Sequence, residues 1–243
     1  MAQRRRLFVL LYAASGAAAL VYEVTWTRLL TLQLGHTVAA ASTVLAAFMG
    51  GLALGAWVAG KRRGSTLRSY VVLELVVAVA ALLLPIALGA TVPALAWAYA
   101  DGSAPARFAV VRVAISLALL GVPAAAMGAT FPIAADWYAR NAADAGALYA
   151  VNTAGAAAGA IAAGFFLIPA LGLRGTTWAG VLLNLVGASG AWWLTTRPEE
   201  KTAESAKIAE NPLSRIKKDK TDPLRSSRAP RFFPGVHRGT RAA

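Results

Sequence analysis

Few residues of this chain can do chemistry, and those few stand inside apolar runs. Glu23, Glu74, Asn152 and Thr130 are the candidates for contact with a solute: a carboxylate held away from water attracts a proton or a cation, and a neighbouring amide or hydroxyl adds hydrogen bonds. An ionisable side chain in mid-membrane costs about 2.5 to 3.5 kcal/mol, so it must be paired, wet or functional. Counting about 1.5 Å per residue from Arg6 places Glu23 beyond the midplane, with Arg28 nearer the outer surface and Arg112 arriving from the outer side at a comparable depth. Glu23 can therefore pair with Arg28 or Arg112 and fix helix register, or line a water-filled path and hold a cation or proton. Glu74 comes soon after Tyr70, where a carboxylate snorkelling to the surface is the plainer alternative to a binding role. Asn152 and Asn184 either meet a solute or hydrogen-bond between helices, and His36 caps or lines an interface, with a proton relay as the alternative. No side-chain set reads as catalytic. With no Cys and two His, thiolate and zinc centres are excluded and no metal or cofactor is expected.

The elements that must position these residues are transmembrane helices. Of 243 residues 58% are hydrophobic and 14% charged, with a mean hydropathy of +0.56, too apolar for a water-soluble domain. Six runs long enough to cross about 30 Å of hydrocarbon cover residues 7–34, 37–60, 67–90, 108–130, 147–170 and 176–194. The fold class is therefore all-α, an integral membrane bundle of six helices over residues 1–194, followed by a basic, disordered tail over 195–243. The first run, behind three arginines, is too long for a signal segment and reads as a retained span. Arg4, Arg5 and Arg6, then Lys61, Arg62, Arg63 and Arg68, then Arg140 fall on one side, which the positive-inside rule makes cytoplasmic. Both termini are then cytoplasmic and the chain belongs in the cell membrane. The net charge of +13 is accounted for by topology and anionic lipid, so no nucleic-acid partner is expected.

Small residues mark where helices can approach closely. Gly51 and Gly55 in the second run, and Gly155 and Gly159 in the fifth, each stand four apart and allow backbone-to-backbone packing. Two backbone breaks are expected in the fourth run, at Gly121-Val-Pro123 and at Met127-Gly-Ala-Thr-Phe-Pro132, which would turn that helix toward the interior. An inverted repeat of three plus three runs is not evident, because the glycine spacings after Ser42 and Asn152 differ.

Several stretches resemble the membrane region of the fused major-facilitator and spermidine-synthase family. They are Ser15-Gly-Ala-Ala-Ala-Leu-Val-Tyr-Glu-Val-Thr-Trp-Thr-Arg-Leu-Leu30, Gly35-His-Thr-Val38, Ser42-Thr-Val-Leu-Ala-Ala-Phe-Met-Gly-Gly-Leu-Ala-Leu-Gly55, Met127-Gly-Ala-Thr-Phe-Pro132, Leu148-Tyr-Ala-Val-Asn-Thr-Ala-Gly155 and Pro169-Ala-Leu-Gly-Leu-Arg174. The Gly60-Lys-Arg-Arg-Gly64 loop is similar to the basic loop of major-facilitator transporters but lacks the usual Asp. What the resemblance implies is half of a major-facilitator-like fold that moves or senses a small cationic solute such as a polyamine. Such a half needs a homodimeric partner or a second transporter half, with the second and fifth runs as the expected seam. In that family a soluble aminopropyltransferase domain follows the bundle; past Leu194 this sequence offers no frame for one, so no enzyme activity is expected. Glu199, Glu200, Glu204 and Glu210 read as solvated acids. The alternative is a non-transporting anchor or assembly subunit, whose basic segment 207–241 meets anionic lipid or a soluble aminopropyltransferase.

Overall fold

The computed structural model describes residues 2–62, 64 and 66–196. The tail expected past 194, with its four glutamates and the basic segment 207–241, lies beyond Thr196 outside the described residues. Seven α-helices follow one another: α1 (Ala2–Leu34), α2 (Val38–Gly60), α3 (Leu67–Ala90), α4 (Val92–Tyr99), α5 (Pro105–Tyr138), α6 (Ala142–Ile161) and α7 (Ile168–Thr196). A short 3-10 turn spans Ala100–Gly102, a π-helical segment spans Ala162–Leu167, and no strand occurs among the described residues.

Local chemistry sets the boundaries. α1 stops where Gly35 takes φ 99°, the left-handed conformation that glycine enters without a Cβ penalty. Two residues on, the Thr37 hydroxyl accepts from the Ala40 N–H at 3.1 Å and caps α2. Asn141 does the same for α6, accepting from the Asp144 N–H at 2.9 Å. α5 runs helical through both Pro123 and Pro132, where the sequence predicts breaks. Pro123 is buried among packed helices and Pro132 is half-buried, the setting in which freed carbonyls find other partners.

Among the described residues five stretches are long and apolar enough to cross a membrane: Gln3–Leu34, Val38–Gly60, Leu67–Ala90, Pro105–Tyr138 and Ala142–Thr196. The last, 55 residues long, contains the two runs read from the sequence as separate. Its regular backbone is interrupted at Gly172, at φ 67° and ψ −179°. On the two sides of that residue the chain passes α1 in opposite senses. Before it, Asn152 meets Tyr12 and Gly159 meets Ala17, so α6 runs parallel to α1. After it, Gly180 lies against Tyr22, Gly190 against Leu11, and the Leu194 carbonyl accepts from Arg4, so α7 runs antiparallel to α1.

Packing follows the small residues. A Cβ at Gly51 would lie 2.6 Å from the Ala124 Cβ, and Cβ atoms at Gly55 and Gly128 would strike the backbones of Ala125 and Leu52, so α2 and α5 touch backbone to backbone. Gly155 and Gly159 likewise meet the carbonyls of Ala13 and Ala17 on α1. Both glycine pairs are thus consumed inside the chain. The expectation that these faces form a seam between two copies is corrected, because a helix already seated on each leaves no room for another.

Along α1 the interior is layered. Phe8 and Tyr12 pack with Tyr70 and Trp137 near its start, while Tyr22 stacks on Trp26 at 5.0 Å and Trp26 meets Phe48 edge-on nearer its end. Ser15 lies between the two aromatic layers. Facing outward, Val72, Val79, Leu83 and Ile86 on α3 and Trp178, Leu182 and Val186 on α7 are exposed, an apolar surface suited to lipid.

Candidate functional site

Ser15 sits nine residues after Arg6, Glu74 six after Arg68 and Asn184 ten before Leu194, so three helices bring polar side chains to one depth. There they meet. Glu74 is 1% exposed, with the Ser15 hydroxyl donating to its Oε1 at 2.5 Å and the Asn184 amide donating to its Oε2. The Tyr70 hydroxyl lies beside the same carboxylate and beside Ser15, outside full hydrogen-bond geometry with either. Gly187, one turn along α7 from Asn184, faces the same carboxylate: a Cβ there would stand 3.5 Å from the Glu74 Cδ, in ordinary van der Waals contact.

A cavity of about 120 Å³ opens against this carboxylate, lined among others by Ser15, Glu74, Thr130, Asn152 and Asn184. One water needs about 10 to 15 Å³ of such space, so the cavity holds several, or a small head group. Its polar lining is rich in acceptors. The Asn184 Oδ1 is buried without a partner, Thr130 turns its hydroxyl hydrogen to the Met127 carbonyl at 2.7 Å, and Asn152 gives its amide to the Tyr12 carbonyl at 3.0 Å. The Ser15 and Thr130 hydroxyl hydrogens and one N–H of each asparagine are spent on the protein, leaving the Asn184 oxygen and hydroxyl lone pairs free to accept.

The sequence-derived candidates therefore divide. Glu74, Asn152 and Thr130 come together around the cavity, and the snorkelling alternative for Glu74 is corrected because the carboxylate is 1% exposed, one turn past Tyr70 of the packed aromatic layer. Glu23 is half-buried and does not line the cavity. It makes no ion pair with Arg28, which is exposed, or with Arg112, whose Nε is buried without a partner. An ion pair joins Arg5 to Asp144 at 2.8 Å, at the end of the bundle where α1 and α6 begin. Ser15 is the site residue that reading residue types alone passes over, since a serine in an alanine-rich helix is unremarkable; its depth, matched to Glu74 and Asn184, is the signal that finds it. No cluster of acidic or histidine side chains suited to a metal occurs among the described residues.

Tyr70→Phe follows directly as a test. A buried hydroxyl without a partner costs about 1 to 3 kcal/mol, so removing it should leave the melting temperature unchanged or raise it by a few degrees. A clear fall in thermal unfolding of the purified protein would mean the hydroxyl is bonded after all.

Fold and site together define a helical bundle, apolar outside, with one deeply buried carboxylate at its polar centre. No family model, curated protein or solved structure matches the chain.

Proposed function

We propose that this chain is a transporter-like membrane protein in which Glu74 receives the ammonium group of a small cationic solute. The observation that carries the reading is a carboxylate 1% exposed, facing a largely apolar cavity whose polar lining is Ser15, Thr130, Asn152 and Asn184, with no cationic side chain among its lining residues. Burying a lone charge costs several kcal/mol, an expense that a bound cation or a proton offsets. An ammonium head brings three N–H donors, which matches the carboxylate, the open Asn184 Oδ1 and the Thr130 hydroxyl oxygen, all on lining residues. Polyamines are the instance that the family resemblance favours.

The same reading takes the long last stretch as two crossings folded back at Gly172, giving six in alternating directions with both ends cytoplasmic. The cations at the start of α1 and after α2 support that orientation. Six crossings amount to half of a major-facilitator-like pathway, completed by a second copy or a different polypeptide on a face other than the glycine seams.

The test is uptake of labelled putrescine or spermidine into vesicles reconstituted with the purified full chain. Accumulation above that of protein-free vesicles is the expected result. Equal rates would remove the transport reading and leave a membrane anchor for a soluble aminopropyltransferase as its replacement.

A further inference from the structure

At the end of the bundle where α1 begins and α5 finishes, an open groove of about 590 Å³ is lined by Arg5, Arg6, Val9, Leu10 and Tyr138. Its two ends differ in chemistry. Arg5 and Arg6 supply guanidinium groups, while Val9 and Leu10, one helical turn further into the bundle's apolar span, supply hydrocarbon, and Leu10 is 68% exposed. Because α-helical neighbours stand four residues apart, Arg5 lies above Val9 and Arg6 above Leu10, about 6 Å apart along the axis. Charge above grease on one helix face matches one molecule class, with a phosphate at its head and an acyl chain below it.

The arginines are also arranged to hold an anion rather than merely repel cations. Arg5 is fixed from two sides, by Asp144 at 2.8 Å and by the Tyr138 ring 4.3 Å from its guanidinium carbon. Asp144 engages one nitrogen of a group with five N–H donors, so donors remain for a second acceptor. Arg6 is exposed and carries no ion pair among the described residues. One positioned guanidinium and one free one, side by side, suit a phosphodiester, which accepts from both.

We infer that this groove is a seat for an anionic phospholipid, its phosphate held by Arg5 and Arg6 and an acyl chain lying along Val9 and Leu10. Free phosphate would use the arginines alone and leave the apolar half without purpose, which is why the lipid is the occupant favoured. The inference rests on the membrane-spanning reading above but not on transport.

Native mass spectrometry of the full chain, released from detergent micelles doped with equal phosphatidylglycerol and phosphatidylcholine, tests it. Wild type should retain phosphatidylglycerol preferentially. Arg6→Gln should reduce that retention about fivefold, the effect of one arginine near an anionic surface, and Arg6→Lys should restore most of it. Leu10→Ser should weaken retention while leaving the preference for the anionic head group. The basic tail is present in every variant, so its own attraction cancels in the comparison. Equal retention of the two lipids, no change in Arg6→Gln, or displacement of the lipid by millimolar inorganic phosphate would overturn the inference. Glu74→Gln protein should hold the lipid like wild type, so a failure here and a failure of the transport reading are told apart.

Discussion

Vesicles containing Glu74→Gln protein are expected to take up labelled putrescine no faster than vesicles without protein. Removing one partner from a buried charge pair costs about 3 to 5 kcal/mol, and at about 1.4 kcal/mol per tenfold that lies beyond two decades, below the leak of a vesicle. Glutamine is the informative replacement because the surrounding network can take it. With the Asn184 amide turned over, its Oδ1 can accept from the glutamine amide, and the glutamine carbonyl can still accept from the Ser15 hydroxyl, so both bonds of the carboxylate have a substitute. The variant should therefore fold with an unchanged or higher melting temperature while losing flux. Flux equal to that of wild type would refute the assignment of Glu74 as the cation's partner. Glu23→Gln, altering a half-buried carboxylate outside the cavity, is expected to retain uptake.

Gly55→Ala should unfold or severely weaken the bundle, whereas Gly50→Ala should not. The two substitutions are chemically identical and five residues apart on α2. At Gly55 the new methyl would land on the Ala125 backbone, which cannot rotate away, so α2 and α5 must separate along their contact; at Gly50 nothing stands within 4 Å. Overpacking of this kind costs about 3 kcal/mol or more, a fall in melting temperature of about 10 °C for a chain of this size. Fluorescence size-exclusion profiles of the two variants, heated in parallel, give the comparison directly. Equal thermal shifts would mean that the backbones do not touch as described.

How much of this was legible beforehand depended on which physical signal was available. Span positions came from hydropathy alone, and α3 matches its predicted bounds of 67–90 because an exposed basic loop and Thr91 frame it. Helix extensions such as α5 running to Tyr138 were not legible, since polar residues at a helix end carry no apolar signal. Glycine pairs at four-residue spacing announced close packing but not the partner: nothing in Gly51 and Gly55 distinguishes α5 of the same chain from a second copy. The site divided the same way. Glu74, Asn152 and Thr130 were identifiable as polar residues in lipid-length helices, but Glu23 has the same type and a similar setting, and only helix rotation separates them. The faces of α1 bearing Ser15 and Glu23 are about 80° apart at 100° per residue, a difference that sequence displays only once a neighbour's position is known.

The seating of α2 against α5 sets an order of events during synthesis. α2 emerges early, while the backbone that fills its glycine groove is more than sixty residues away, at Ala124 and Ala125. Until then the groove faces lipid or whatever insertion machinery shelters it, and α1 likewise waits for α6. A chain stalled or cut before α5 thus displays two unmated small-residue grooves, an address by which membrane quality control can tell an unfinished copy from a finished one.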